Sequence, residues 1–483
     1  MKNTIKNIIL IISAFTVLSL SSCSDYLNTE PTTETTVEST GKVIATAAEA
    51  ESRMTSVYAS FGGEYWQLDY FFNGDAQTDN AYAGSDNTQN FQQDEYRILS
   101  TNTNVSRDWG YIYDNINKCN FILNYIDEPK DLPAARKEEM IGEASLVRAL
   151  NLFHAVQLWG DVPIATKAVV NVNQDNFEEV YPQLYPTRKP KQEVYAAIIA
   201  DCETAIQKAP ASTNKFRANK GAANALLAKV YATKDNPDWA KVKQYSDAVI
   251  TGAYTLLPNY ENLFDTAHEG NSESIWEANG EGWGSPVGAW GTSMFYGTDW
   301  KKFMTPSNDL IQTFTNEGDV VRKKSSVIVK EVSWTDNYWT SAGYPFAYKM
   351  RITDGKQNFY ILRLADIILL KAEALAQTGD NAGAMTLVNQ VRARVGLPKV
   401  SAASQGDALD LILKERKMEL AFEGHRWFDL KRTAKAIEIL SKQKDDKGAI
   451  LPYAGNLNQD RLLWPIPQTK KDANPNLIQN PGY

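Results

Sequence analysis

Apolar residues at helical spacing, grouped in paired runs and cut by Gly, Pro, Asn and Asp, are the feature that most narrows what this chain can fold into. Ala47, Ala50, Met54, Val57 and Tyr58 share one helical face before Gly62 and Gly63 interrupt it. Comparable amphipathic stretches cover 107–126, 132–158, 192–208, 220–232 and 239–251. A second block starts at Arg363: Leu364 to Leu375 end at Thr378-Gly379-Asp380, and Ala384 to Val395 stop at Gly396-Leu397-Pro398. Residues 408–422 and 425–441 supply another pair. Pairs of this kind predict antiparallel helix hairpins like those of tetratricopeptide repeats, with Ala222, Ala225, Ala228, Ala240 and Ala248 where helices cross. Strand-like text is scarce, as at 327–332. The expected fold is all-α, a tetratricopeptide-like hairpin scaffold in two blocks, 42–260 and 363–483, around a loop-rich insertion at 261–362.

The N-terminus reads as an address. Lys2 and Lys6 precede an apolar run, Ile8 to Leu20, too short to span a membrane comfortably, and Leu20-Ser21-Ser22-Cys23 resembles a bacterial lipobox. Residues 1–22 are expected to be a signal peptide, Cys23 the lipidated first residue, and the Thr- and Glu-rich 23–41 a tether. The alternative is an ordinary signal cut elsewhere, with Cys23 a stray thiol. Cys119 and Cys202 fall in apolar helical stretches and read as small buried hydrophobes.

Composition excludes two classes. With 50 Lys+Arg against 58 Asp+Glu the net charge is −8, and without a dense basic run a nucleic-acid partner is not expected. Three widely separated histidines, His154, His268 and His425, give a histidine-rich metal centre little to be built from.

Ligand chemistry is expected where aromatic residues gather without helical logic. Six of the twelve tryptophans, Trp276, Trp283, Trp290, Trp300, Trp334 and Trp339, fall within 64 residues, where even scatter would place one or two. Gly280, Gly282, Gly284, Pro286 and Gly288 forbid a regular helix there, so these rings are read as sitting on loops. A flat indole matches the apolar face of a sugar ring, while neighbouring polar groups exchange hydrogen bonds with hydroxyls. The candidate carbohydrate-binding residues of the insertion are Trp283, Trp290, Tyr296, Trp300 and Trp339. The first block adds Trp66, Asp75, Asp79, Asn80 and Tyr82 in a polar loop expected to face them across a shallow platform, and Trp109, which begins a helix and reads first as packing but stays a candidate by its position after the same loop. Asp75 to Asp86 invites calcium, but it lacks EF-hand spacing and the terminal glutamate, and no cofactor is expected.

Four further stretches carry a resemblance. RALNLFHAVQLWGDVPI (Arg148 to Ile164), LRLADIILLKAEALAQTG (Leu362 to Gly379), ILKERKMELAFEGHRWFDLKR (Ile412 to Arg432) and LLWPIPQTKKDANPNLIQNPGY (Leu462 to Tyr483) are similar, with the lipobox, to the SusD/RagB family. The resemblance implies a Bacteroidetes surface lipoprotein, held at the outer membrane by Cys23, that binds glycan without cleaving it and caps a SusC-like TonB-dependent transporter. Ser24-Asp25 resembles the acidic export signal of such proteins. Within these motifs Arg148, Trp159, Arg363, Glu373, Glu415, Arg416, Glu419, His425 and Arg426 read first as packing and ion-pair residues, given the i,i+3 and i,i+4 spacing of Arg416 and Glu415 with Glu419. Two other functions stay open, a binder of peptides or glycoproteins for import and a surface glycoside hydrolase.

Overall fold

In the computed structural model, the described residues are 42–483 apart from 85–86, 212–213, 283–284, 286–288, 298–300 and 446. Cys23, Trp283 and Trp300 lie outside them.

The first helices are α1 (Ala47–Ala59), α2 (Tyr70–Asp75), α3 (Thr88–Asp94), α4 (Thr103–Tyr125), α5 (Ala134–Trp159), α6 (Phe177–Leu184), α7 (Lys191–Lys208), α8 (Lys220–Thr233) and α9 (Trp239–Ile250). Short polar side chains start several of them by accepting backbone N–H groups that have no partner in the first turn. Thr46 takes Glu49 N, Asn102 takes Asn104 N and Val105 N, Asn219 takes Ala222 N and Asp238 takes Lys241 N. Consecutive long helices pack on one another: α4 on α5, α5 on α7, α7 on α8 and α8 on α9. Ala222, Ala225 and Ala228 of α8 are fully buried. Gly142 of α5 lies so close to the turn after α7 that a Cβ there would come 2.2 Å from Ala209 N.

The insertion holds more pairing than the sequence suggests. Its strands are β2 (Ser274–Ala278), β3 (Met304–Pro306), β4 (Val327–Lys330), β5 (Tyr344–Ala347) and β6 (Phe359–Arg363), with helices α10 (Asn308–Glu317) and α11 (Val320–Ser326). β2 pairs antiparallel with β6, and β4 with β5. β3 pairs with β1 (Ala81–Ala83) of the first block. Trp276 is therefore a buried strand residue, 1% exposed and edge-on to Phe61 at 5.5 Å, not a loop residue.

The second block comprises α12 (Leu364–Gln377), α13 (Asn381–Arg394), α14 (Gln405–Glu419), α15 (Arg426–Arg432), α16 (Ala436–Leu440) and α17 (Gln468–Ala473). α12 packs on α9, α13 and α14, so the helical series runs through both blocks around one apolar core that extends from Ile44 to Leu477. The architecture is all-α and tetratricopeptide-like, with three small two-stranded sheets in its irregular part. The long helix expected over 425–441 breaks into α15 and α16, where Ala434 takes φ +56°. Cys119 and Cys202 are free and buried.

Ion pairs from the family-like motifs fill the junction between insertion and helices. Glu419 of α14 meets Arg322 of α11 at 3.1 Å, Arg363 at 2.6 Å and also Arg394. Arg363 adds Glu423 at 2.6 Å and Glu273 at 2.9 Å. Burial would raise the Glu419 pKa, but Arg394, Arg363 and Arg322 together hold it below the usual carboxylate range. Arg416 binds Asp366 at 2.6 Å and Asp429 at 2.8 Å, and Arg432 binds Glu373 at 2.7 Å. These groups are spent on structure.

A further buried polar cluster surrounds Asp94. Asp94, at the end of α3, is fully buried and accepts from Ala83 N at 3.0 Å and more weakly from the hydroxyls of Tyr453 and Tyr338, at 3.3 and 3.4 Å. Burial pushes its pKa up from 3.8 to about 8.

Two outcomes follow from these clusters. Arg363→Ala leaves Glu419, Glu423 and Glu273 short of a shared cation and is expected to cost about 3–5 kcal/mol in denaturant unfolding. Between its unfolded and folded pKa values Asp94 keeps a proton that the unfolded chain releases, so its contribution falls as pH rises, by at most about 1.4 kcal/mol per pH unit, until the folded pKa is passed. Asp94→Asn is expected to remove that slope, gaining on the wild type as the pH of unfolding experiments is raised from about 5 to about 8. Parallel curves would show Asp94 ionised in the fold.

Candidate functional site

The β4–β5 hairpin gathers a cluster of partly exposed aromatic rings in the described insertion. Its register sets Lys330 opposite Tyr344 and Ile328 opposite Phe346. Side chains alternate along a strand, so Tyr344, Phe346 and then Tyr348 fall on one face. Tyr344 and Phe346 are buried and form a floor, while Tyr348 is half-exposed. Trp334, on the loop 331–343, stands edge-on to Tyr344 at 4.6 Å and to Phe346 at 6.1 Å. Tyr296 reaches Phe346 at 6.0 Å and Tyr348 at 5.4 Å. Trp334, Tyr296 and Tyr348 are each half-exposed, and their shared contacts with the floor make one contiguous patch.

Polar groups fix these rings. The Asp336 carboxylate accepts Tyr338 N at 2.9 Å, Trp339 N at 3.0 Å, the Tyr344 hydroxyl and Lys302 Nζ at 3.3 Å, which sets the loop between the strands. Lys302 Nζ lies 4.0 Å from the Trp334 ring centre and Lys330 Nζ 4.0 Å from that of Tyr296. Lys330 also donates to the Tyr296 hydroxyl, and the Arg351 guanidinium covers Tyr348 at 4.9 Å. Both ends of the hairpin are clamped. Arg322, in the helix that leads into β4, is tied to Glu419, and Lys349, two residues past β5, donates to Glu419 O at 2.8 Å and Glu423 at 2.6 Å.

The residues singled out in the sequence fare unevenly. Tyr296 belongs to the patch. Trp339 is half-buried on the same loop, gives its indole N–H to Pro306 O at 3.0 Å, and packs against the cluster of Tyr82 and Tyr338. Trp290 is half-buried against the core with its N–H on Gly62 O at 3.2 Å.

The first-block candidates are corrected by the structure, which turns them inward. Trp66 is 2% exposed among Phe61, Tyr65 and His154. Trp109 is buried between Tyr113 and Trp159, at 4.8 and 4.9 Å. Tyr82 is fully buried and stacks on Tyr338 at 4.3 Å. Asp75 is buried with its carboxylate on Asn80 Nδ2 and Gly424 N, both at 2.7 Å, and burial lifts its pKa to about 6. Asn80 is buried with it. Asp79 is held by Arg426 at 2.7 Å and Lys417 at 2.8 Å, so its charge is neutralised rather than offered to calcium. This segment does meet the insertion, but as the buried β1–β3 pair rather than as an open platform. Among the described residues no group of three or more His, Cys, Asp or Glu is placed to hold a metal ion.

Tyr344, Phe346, Tyr348, Lys302 and Lys330 escaped the sequence reading, which weighed tryptophans. For the three rings the signal was aromatic residues at alternate positions of Tyr-Pro-Phe-Ala-Tyr over 344–348, which a strand puts on one face, while nothing local marks Lys302 or Lys330. A separate cavity of about 340 Å³ lies between Trp239, Leu409 and Leu413, but its Arg432 and Glu373 are already paired with each other. The hairpin patch is the better candidate.

Known proteins agree with the architecture. The chain is 26% identical over 516 residues to SusD-like protein P38 of Formosa agariphila, covering 96% of each chain. It superposes on a solved SusD superfamily protein from Bacteroides vulgatus with a TM-score of 0.77 at 20% identity, over 90% of this chain and 99% of that one. A solved laminarin binding SusD-like protein matches with a TM-score of 0.73 at 25% identity, over 91% and 100%. Residues 25–232 match a family described as starch-binding associating with outer membrane. With residues 212–483 matching the SusD family itself, over half of its length, the chain belongs to that family.

Proposed function

We propose that this chain is a non-catalytic, surface-exposed lipoprotein that captures oligo- or polysaccharide and delivers it to a SusC-like TonB-dependent transporter of the outer membrane. The observation that carries the reading is the aromatic patch of Trp334, Tyr296 and Tyr348, preset by its floor and clamps. Aromatic faces remove sugar C–H surface from water, and rings already held in place lose little freedom on binding. The match to a laminarin binding relative and to a starch-binding family supports the same ligand class. Trp339 belongs to this reading as a neighbour on the same loop, and Trp283, Trp290 and Trp300 remain its sequence-based members.

Hydrolysis needs two carboxyl groups flanking the scissile bond. The carboxylate built into the patch, Asp336, is taken up by backbone amides, Tyr344 and Lys302, which supports binding over cleavage. Anchoring is assigned to an acylated Cys23, with residues 1–22 removed and 23–41 as the tether. No helix of the described residues is long and apolar enough to cross a membrane.

Affinity electrophoresis and calorimetry against neutral glucans, anionic polysaccharides and peptides test the reading. Retention by a polysaccharide without release of reducing ends is expected, whereas binding only to peptides would replace it with peptide import. Trp334→Ala should weaken glycan binding by about 1–3 kcal/mol, the range of other aromatic stacking platforms. Cys23→Ser should abolish incorporation of an alkyne-labelled fatty acid and release the protein from the membrane fraction. Label retained in that variant would place lipidation elsewhere.

A further inference from the structure

The excursion between α5 and α7 carries a second aromatic surface that folding does not explain. Its base is closed where Val162 and Lys189 exchange backbone hydrogen bonds of 3.3 and 3.0 Å. Within it, α6 buries none of its residues. Phe177 and Tyr181 share one face of α6, and Tyr185, the residue just past its end, continues the row. Their rings touch in series, with centroids 5.7 Å apart for the first pair and 4.8 Å for the second. Phe177 is 39% and Tyr181 40% exposed. Single exposed apolar residues are ordinary, but a contiguous row of rings marks a contact surface.

Hydrogen bonds fix both ends of the row. At its start the Asn173 carboxamide accepts Asp175 N at 2.9 Å and Asn176 N at 3.1 Å, and Asn176 returns a bond to Asn171 O at 2.8 Å. At its end Asn476 donates to Tyr185 O at 2.7 Å and Asn474 to Pro186 O at 2.9 Å, both from the C-terminal tail. Arg188 bonds Asp161 O at 2.7 Å and Ile478 O at 2.6 Å.

The geometry points to an auxiliary strip for a neutral polysaccharide on Phe177, Tyr181 and Tyr185, apart from the hairpin patch. This rests on the glycan-binding reading and extends it to a second contact on the same polymer. Charge argues for the ligand class. Over 167–191 the three carboxylates Asp175, Glu178 and Glu179 are offset by Lys167, Arg188, Lys189 and Lys191, so the strip carries little net charge and suits an uncharged polymer better than a highly charged surface. Shape argues against a protein side chain, because every residue of α6 is exposed or half-buried and the rings line a ridge rather than a pocket. Sugar faces stack on a ridge without needing one. Among the described residues the Tyr181 and Tyr185 hydroxyls make no hydrogen bond to protein, and with the neighbouring carboxylates they can meet sugar hydroxyls. Two weak contacts on one chain raise its affinity through effective concentration.

The test uses the full chain, a Phe177→Ala/Tyr181→Ala variant, Tyr181→Trp, and Trp334→Ala. Each is run in gels holding soluble starch, laminarin or a polyuronate, and in calorimetry with short oligosaccharides of the retained polymer. Since α6 buries nothing, the double variant should keep the wild-type Tm. It is expected to lose about tenfold in affinity for a retained neutral polymer while binding short oligosaccharide unchanged. Tyr181→Trp should keep full polymer affinity. Polymer retention unchanged in the double variant overturns the strip and leaves the hairpin patch standing. A wild type retained by no polysaccharide overturns the glycan reading itself. Loss in the double variant of binding to anionic phospholipid vesicles, or to the transporter protein, with polymer retention intact, overturns the strip in favour of that surface.

Discussion

The β4–β5 hairpin and the helices beside it are tied together through one buried carboxylate. Glu419 receives guanidinium groups from three elements: Arg322 from the helix before the hairpin, Arg363 from the junction of β6 with α12, and Arg394 from the end of α13. Its backbone carbonyl also takes Lys349 from the far side of the hairpin. A segment with few long helices gains a fixed place because its two ends are charged and the scaffold holds the opposite charge in a dry site. The aromatic patch inherits that placement.

Such a network does not add stability in proportion to its contacts. Taking each ion out of water costs several kcal/mol, and the mutual attraction repays this only while every partner is present. What the arrangement secures is uniqueness. A slipped β4–β5 pair or a shifted α11 would strand a guanidinium or carboxylate without a partner, a far larger penalty than the loss of a few apolar contacts. Close backbone approach enforces the same placement from another side. A Cβ on Gly74 would fall 2.2 Å from the Gly424 carbonyl, so α2 and the turn before α15 meet backbone to backbone.

The helical part was readable because its signals are local. Caps such as Thr46, Asn219 and Asp380, stops such as Gly379, and the alanine face of α8 each sit within a few residues of what they control. Ala240 and Ala248, expected at the crossing, are exposed instead, and α9 packs through Val242, Tyr245 and Val249, because its larger apolar side chains take the inner face. The insertion was less readable because its order is made at long range: β2 finds β6 across some eighty residues, and Trp276 looks like a loop residue until that pairing is known. Acidic residues misled for a related reason. Asp79 and Asp75 read as open polar groups in a Gly- and Asn-rich stretch, but their partners Arg426, Lys417 and Gly424 lie more than three hundred residues away. Tryptophan density pointed to the insertion but did not say which rings stay partly exposed there, since ring type says nothing about burial. Trp334 and Tyr296 are open because they flank the floor of a hairpin, whereas Trp66 and Trp276 are closed because they sit within the apolar core.

The lysines complete the physical picture of the patch. Lys302 is 7% exposed and lies over the Trp334 ring, so one indole face is already occupied by a cation. Lys330 does the same for Tyr296. A cation on the inner face holds a ring in a single orientation more firmly than apolar packing would, because the attraction depends on the charge sitting above the ring. The rings are therefore fixed before any ligand arrives, while the directional hydrogen bonds that distinguish one hydroxyl configuration from another are few. Under the proposed glycan reading, a surface built this way would meet sugar rings through shape and leave discrimination to the curvature of the polymer laid across it.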